Sequence, residues 1–325
     1  SVPLVGGETF LNASERAPAP KRDSSEPLLQ FKGVSKVYGT NTALHPMSFT
    51  LQGDTPQIIS IVGQSGSGKS TMGSIMLGFN PPTQGQVLFE GNDIQKMSAG
   101  ASLEFRKNVQ AVFQDPYACF NPFYRVSHAL TFPFKQFGFA KSAAHMQQAM
   151  EEACDAVGLA PDLVLPRYPH QLSGGQRQRL VVARALMLSP KLLIADEPVS
   201  MVDASLRASI LANIYDLKDK YGISILYITH DLATAYHVSD YVMVLYKGNV
   251  VEAGPPKEVI GAPQHAYTRL LIDSIPWPDL DRSWGGDVDQ AHLDEATQDQ
   301  AFAGSVYRST VPGFALAEGG MERTP

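Results

Sequence analysis

Cysteine and tryptophan are scarce in this sequence, with two of each among 325 residues. Cys119 and Cys154 lie far apart, with no neighbouring residues at metal-ligand spacing. That argues against a zinc or iron–sulfur centre and fits a reducing compartment, with both thiols expected to be ordinary buried ones. Long apolar runs are also missing. None approaches the ~18 uninterrupted apolar residues of a membrane-spanning helix, and the first residues lack a basic region followed by an apolar core. A chain that is neither inserted nor secreted is expected. Basic blocks are absent too: 26 Lys plus Arg stand against 32 Asp plus Glu, which speaks against nucleic acid as a partner. The acidic excess is local. Nine acidic residues and three arginines fall between Asp279 and Pro325, so the remainder is near neutral. A hydrophobic content of 44% is ample for a packed core, and the length suggests roughly two structural units on a ~150-residue prior.

What is present is organised around Gly63-Gln64-Ser65-Gly66-Ser67-Gly68-Lys69-Ser70-Thr71. The apolar run Ile58 to Val62 precedes it and the helix-like Met72 to Leu77 follows, giving strand, glycine-rich loop, helix. This is the spacing of a phosphate loop. Glycines let the backbone approach an anion with successive N–H groups pointing inward, and the positive end of the helix faces the same point. Lys69 reaches the β- and γ-phosphates, and the Ser70 hydroxyl can complete the shell of a Mg²⁺ ion between them. A flexible Gly/Ser linker would not sit between a β-branched run and a helix and end in Lys-Ser.

Along the chain, residues 1 to about 26 read as a mobile leader, rich in Pro, Ser, Ala and charge. Alternating apolar residues from Leu28 to Tyr38 predict a strand with a turn at Lys32-Gly33, and Tyr38 is either an adenine-stacking aromatic or an edge-strand tyrosine. Val109 to Phe113 reads as a buried strand ending at Gln114, which can reach a metal ion or an attacking water or is simply a strand end. The segment Asp115 to Tyr124 is unusually aromatic for a turn-rich stretch and is expected to be an exposed partner surface. A helix is predicted over Ser142 to Val157 inside a small helical insertion. It ends at Leu172-Ser173-Gly174-Gly175-Gln176, which is either a second anion nest or a capped helix start.

Lys191 to Ala195 is a buried strand that delivers Asp196 and Glu197 at its end, where one carboxylate can hold Mg²⁺ and the other orient and deprotonate water, or both can cap a turn. Ser205 to Lys220 reads as helix and Ile225 to Thr229 as another buried strand. His230 follows it, either a donor to a γ-phosphate oxygen or a satisfied structural histidine. Val242 to Tyr246 and Asn249 to Ala253, joined by Lys247-Gly248, read as a hairpin.

In this order, the pieces resemble the ATP-binding subunit of ABC transporters over roughly Leu28 to Ile275. The resemblance implies an α/β P-loop NTPase: a RecA-like core, an antiparallel β subdomain and an inserted helical subdomain over about residues 116–185. It implies a leader over 1–27, the ATPase domain over 28–275 and an acidic extension over 276–325; lacking apolar periodicity and nucleotide chemistry, that tail is expected to be dispensable for ATP binding. Tyr38 is then the adenine-stacking aromatic, Gly63 to Thr71 the Walker A loop, and Gln114 the Q-loop. Leu172 to Gln176 become the signature, whose Ser173, Gly174, Gly175 and Gln176 contact the ATP of a partner subunit. Asp196 becomes the Walker B aspartate, Glu197 the catalytic glutamate, Asp203 the D-loop and His230 the switch histidine. ATP is the implied substrate, with Mg²⁺ held by Ser70, Gln114 and Asp196.

Gln114 to Ala118 with Asn121-Pro122, and Pro263 to Leu271 followed by Ile275-Pro276, look like the oligopeptide/dipeptide importer branch, whose members also import nickel, opines and oligosaccharides. The implied partners are a second ATPase subunit (a paralogue or the chain itself), two permease subunits and, indirectly, a solute-binding protein, at the cytoplasmic face of the membrane. Met201-Val202 departs from the usual D-loop pair, Phe123 stands where a basic residue is common, and the cysteine cluster of some relatives is absent. The competing class is a cassette ATPase acting on nucleic acid or ribosomes, which usually carries two cassettes, a coiled coil or a basic arm.

Overall fold

The computed structural model describes residues 26–138, 142–200, 204–274, 306–307 and 314–317. It opens with two long strands, β1 (Pro27–Tyr38) and β2 (Asn41–Gln52), then β3 (Ile58–Val62), helix α1 (Lys69–Met76), β4 (Gln84–Phe89) and β5 (Asn92–Asp93). Next come α2 (Ala99–Asn108), β6 (Val109–Val112), α3 (Val126–Gln136), α4 (Ala143–Ala156), α5 (Pro161–Val164) and α6 (Gly174–Leu186). The second half of the core holds β7 (Leu192–Asp196), α7 (Ala204–Tyr221), β8 (Ser224–Thr229), α8 (Leu232–Val238), β9 (Tyr241–Tyr246) and β10 (Asn249–Gly254). Helices α9 (Pro256–Val259) and α10 (Ala266–Asp273) follow, and two strands, β11 (Val306–Tyr307) and β12 (Phe314–Ala317), come from the acidic extension.

These strands form two sheets. One has the order β12-β2-β1-β4-β5 and is antiparallel; the other has the order β11-β10-β9-β3-β8-β7-β6. In the second, β3 lies between β8 and β9 and is parallel to both, with β7 and β6 continuing the parallel run. Strands covered on both faces read as continuous apolar runs, and β3 is buried at every residue. The carboxyl ends of β3, β7 and β8 therefore converge, which is where an open α/β sheet forms its crevice. Between the two sheets lies an apolar layer that includes Phe31, Phe49, Met72, Ile75, Leu245 and Val250. A second cluster joins α3, α4 and α6 to the other face of the parallel sheet through Leu130, Cys154, Leu180, Leu193 and Tyr227.

One local expectation changes. Lys32-Gly33 is not a turn between strands: β1 runs straight through it with register shifts, and Gly33 at φ 59° takes up the extra residue as a bulge. Pro133 sits inside α3. Asn92-Asp93 forms the short β5, which pairs with β4. The Lys247-Gly248 connection is the expected hairpin, with φ of 44° and 79° at its two residues, as a type I′ turn requires. That turn also ties the sheets together. His45 donates its N–H to the Gly248 carbonyl at 2.9 Å, and a side chain at Gly248 would collide with the Ala43 carbonyl. Strand β12 pairs with β2 and β11 with β10, so the proposed boundary at residue 275 divides the primary sequence and not the sheets.

The edge where β3 begins is fixed by a buried ion pair. Asp240 accepts hydrogen bonds from the Ile58 N–H at 2.8 Å and from Lys218 Nζ at 3.0 and 3.1 Å. Lys218 is only 5% exposed, so its charge depends on that carboxylate. Asp240→Ala is expected to destabilise the fold by about 3–5 kcal/mol, the usual cost of stranding one partner of a buried pair, read from the denaturant midpoint. A loss under about 1 kcal/mol would show that the pair is effectively solvated.

Candidate nucleotide site

A cleft of about 880 Å³ opens at the convergent strand ends. It is lined by Tyr38, Ser65, Gly66, Gly68, Lys69, Ser70, Thr71, Gln114, Asp196, Glu197 and His230, all singled out from the sequence. Asn41, Thr42, Ala43 and His45 at the start of β2, and Lys247 of the hairpin, also line it and were missed. The signal for the first group was their place just after Tyr38; nothing local marked Lys247. Gly63, Gln64 and Ser67 belong to the same loop. Ser173, Gly174, Gly175 and Gln176 are not among the lining residues. Asp203 lies outside the described residues.

The loop is built to bring backbone close to an anion. Gly68 caps α1 at φ 108°, and a Cβ there would lie 2.7 Å from the Ala43 carbonyl; one at Gly63 would lie 2.3 Å from the Leu245 carbonyl. Having no side chain, Gly68 leaves the first-turn amides of α1 uncapped, as an anion site at a helix start needs. The Ser67 hydroxyl is buried with no hydrogen-bond partner among the described residues. Lys69 Nζ donates to the carbonyls of Gly63 at 2.6 Å and Gln64 at 2.8 Å, which hold the ammonium beside the cradle. Burial pulls its pKa below the ordinary lysine range, and Glu197 and Asp196 oppose that shift. This donor set fits a polyphosphate.

Glu197 sits at φ +50°, a left-handed conformation that costs a non-glycine residue about 1 kcal/mol or more. The turn is held by its N–H donating to the Ile228 carbonyl at 2.8 Å and by Ser200 donating back to its carbonyl at 3.2 Å. His230 Nδ1 lies 2.6 Å from Glu197 Oε1, so an Nδ1–H tautomer donates to the carboxylate. Asp196 is raised above the usual aspartate range by burial first and by Glu197 second, with Lys69 opposing. A carboxylate pKa raised in this way falls when a cation arrives, and Ser70, Gln114 and Asp196 on one cleft are the hard oxygen donors that Mg²⁺ takes.

The signature segment is a capped helix in this chain. Ser173 accepts from the Gln176 N–H at 3.2 Å while Gln176 Oε1 accepts from the Ser173 N–H at 3.1 Å. Two arginines of α6 reach the aromatic segment after Gln114. Arg177 stacks 3.8 Å over the Tyr117 ring, and Arg184 donates to the Cys119 carbonyl at 3.1 Å. Phe120, expected on the surface, is instead 6% exposed, because it fills the helical cluster beneath those arginines. Tyr117, Phe123 and Tyr124 are the exposed aromatics of that segment, Phe123 at 85%. Cys119 is half-buried rather than buried. Cys154 is buried, which pushes its thiol up to about 12.

The ABC transporter family model matches residues 44–200, spanning the phosphate loop, the signature and Asp196-Glu197. A Brucella ovis ATP-binding protein named for peptide import is 39% identical over 259 residues, covering 78% of this chain and 80% of that protein. The chain belongs to the ABC transporter ATP-binding family. A second model, the oligopeptide/dipeptide transporter C-terminal region, matches residues 251–309. The cassette is 39% identical to the oligopeptide transport ATP-binding protein OppF of Haemophilus influenzae, over 74% of this chain and 71% of that one. Among solved structures it is similar to a dimeric ATP-binding cassette in a post-hydrolysis state bound to ADP and Pi. That likeness has a TM-score of 0.62 and 25% identity and covers 70% of this chain and 98% of the other. The cassette is an ATPase coupled to transport, with the α/β cassette fold.

Lys69→Ala is expected to weaken ATP binding at least about tenfold, since a charge-assisted hydrogen bond contributes roughly 1.5–3 kcal/mol. Far-UV circular dichroism should be unchanged, because Lys69 contributes charge and little packing. Titration with a fluorescent ATP analogue checks it, and near wild-type affinity would contradict the assignment.

Proposed function

We propose that this cassette powers import of peptides or related small solutes through separate permease subunits, from the cytoplasmic face of the membrane. The observation that carries the reading is one cleft holding a phosphate loop, the Asp196-Glu197 pair and His230, in a chain whose 251–309 segment matches the oligopeptide/dipeptide region. No helix among the described residues is long and apolar enough to cross a membrane. The relatives described above are transport proteins, which favours this reading over an ATPase working on nucleic acid or ribosomes.

In the proposed mechanism the first-turn amides of α1 and Lys69 bind the β- and γ-phosphates of ATP, and the exposed Tyr38 ring stacks on adenine. Lys69 exchanges the Gly63 and Gln64 carbonyls for phosphate oxygens. Ser70, Gln114 and Asp196 would hold Mg²⁺, which would supply positive charge to the phosphate oxygens. Glu197 accepts the proton of the attacking water, and His230 holds that carboxylate in place through Nδ1. Ser173, Gly174, Gly175 and Gln176 lie off the cleft, which supports their serving the ATP of a second subunit, identical or paralogous. Gln114 leads directly into the segment that Arg177 and Arg184 strap to α6. A shift at the cleft therefore moves the exposed Tyr117, Phe123 and Tyr124, the proposed contact with the permease.

Glu197→Gln keeps the side-chain size and the strained backbone but removes the proton acceptor. ATP should remain bound while phosphate release falls about 10²–10⁴-fold. Release within about threefold of wild type, with ATP occupancy confirmed, would rule out a general-base role.

For the docking surface, Tyr117→Ala combined with Phe123→Ala should reduce co-purification with co-expressed permease subunits and leave ATP affinity of the isolated chain unchanged. Full retention of the complex would place the contact elsewhere.

A further inference from the structure

The stretch Pro263 to Leu271 forms a tight turn into α10, and its interactions run back towards the cleft. Glu252, fully buried on β10, accepts the N–H of Gln264 at 3.0 Å and of His265 at 3.1 Å. Arg269 donates to the carbonyls of Gln264 at 2.6 Å and Pro263 at 3.3 Å, closing the turn from the other side. His265 Nδ1 accepts the Tyr267 N–H at 3.1 Å and so caps the helix; burial lowers its pKa, which keeps that nitrogen available as an acceptor. Every one of these bonds fixes where Tyr267 leaves the backbone.

The Tyr267 side chain is 1% exposed and packs on Tyr246 with ring centroids 4.1 Å apart. Its hydroxyl accepts the Gln64 N–H at 3.0 Å, across 203 residues of sequence. Gln64 N–H and the Gly63 carbonyl belong to the same peptide unit, and that carbonyl accepts from Lys69 Nζ at 2.6 Å. One planar group is thus gripped on one edge by Tyr267 and on the other by Lys69. Burial pushes the phenol up to about 12, so it stays neutral through the working range.

We propose that Tyr267 is a positioning residue for ATP: through the Gly63-Gln64 peptide it sets the phosphate loop in its binding geometry before nucleotide arrives. Its inference rests on the reading that residues 63–71 hold the phosphates. Two consequences follow from the geometry. The Gln64 amide is satisfied by protein, so it is withdrawn from phosphate binding, and the loop's inward amides are those beyond it. The peptide plane cannot rotate freely when Lys69 lets go of the Gly63 carbonyl, so the loop does not have to be ordered at the expense of binding energy. Hydrogen bonds in a chain also polarise one another, which strengthens the carbonyl's hold on Lys69 while the cleft is empty of phosphate.

The test uses the full chain. Tyr267→Phe removes the hydroxyl alone and keeps the ring against Tyr246. It should raise the dissociation constant of a fluorescent ATP analogue about three- to tenfold, the effect of one neutral hydrogen bond, and speed amide exchange at Gln64. Thr268→Val is the control in the same helix: Thr268 is fully buried and its hydroxyl has no partner among the described residues, so its loss should leave affinity unchanged. In the nucleotide-free wild-type protein the Gln64 amide should already be protected, and exchange at the rate of an unstructured peptide would overturn the inference without any variant. Unchanged affinity in Tyr267→Phe, alongside a large loss in Lys69→Ala, would overturn the role of Tyr267 while leaving the loop assignment standing. Unchanged affinity in Lys69→Ala would remove the loop assignment and this inference with it.

Discussion

A desolvated ammonium group governs the geometry of this cleft. Lys69 is buried enough that its pKa is pulled down, and backbone carbonyls of its own loop hold it at 2.6 and 2.8 Å. For those carbonyls to converge, the chain must leave β3 sharply, which requires glycine at 63, and must enter α1 from a left-handed residue, which requires glycine at 68. The strand it leaves, β3, lies in the centre of its sheet, with β8 and β9 parallel to it on either side. The sheet order, the glycine positions and the charge thus answer one requirement: to present a cation and a row of amides to the same anion without letting water replace either.

The two carboxylates beside that lysine are set apart by environment. Asp196 ends β7 in regular backbone, and its raised pKa makes it responsive to an arriving cation. Glu197 follows in a strained left-handed conformation, with its N–H bound to β8 and its side chain bound to His230. Adjacent residues on a regular strand would point to opposite faces; the positive φ at Glu197 breaks that alternation where the second carboxylate is needed.

Much of this was legible in the primary sequence because it is local. The phosphate loop, the strand-end acids and the Lys247-Gly248 turn each depend on a few contiguous residues, and their chemistry shows in the residue types. What was hidden depends on contacts between distant residues. Phe120 looks like Tyr117 and Phe123 in a turn-rich stretch, and only the packing beneath Arg184 separates the buried ring from the exposed ones. Pro133 looks like a helix breaker, yet α3 carries it in its interior. Tyr267 carries no local mark of its bond to Gln64, since the two are joined only by the fold. The start of β2 reaches the cleft because the antiparallel sheet is fastened to the hairpin at Gly248, again a contact between segments.

The two short strands contributed by the acidic extension have a colloidal consequence. Strand β12 lies along the open side of β2, and β11 along the open side of β10, so the same stretch of chain covers one flank of each sheet. An uncovered flank offers a row of unpaired amides and carbonyls to any extended peptide, including the same flank of another molecule. The extension also carries the acidic excess of the whole chain. It therefore acts against association in two ways: its strands pair with those flanks, and its composition adds like charge to every copy of the chain, which opposes association in a crowded solution.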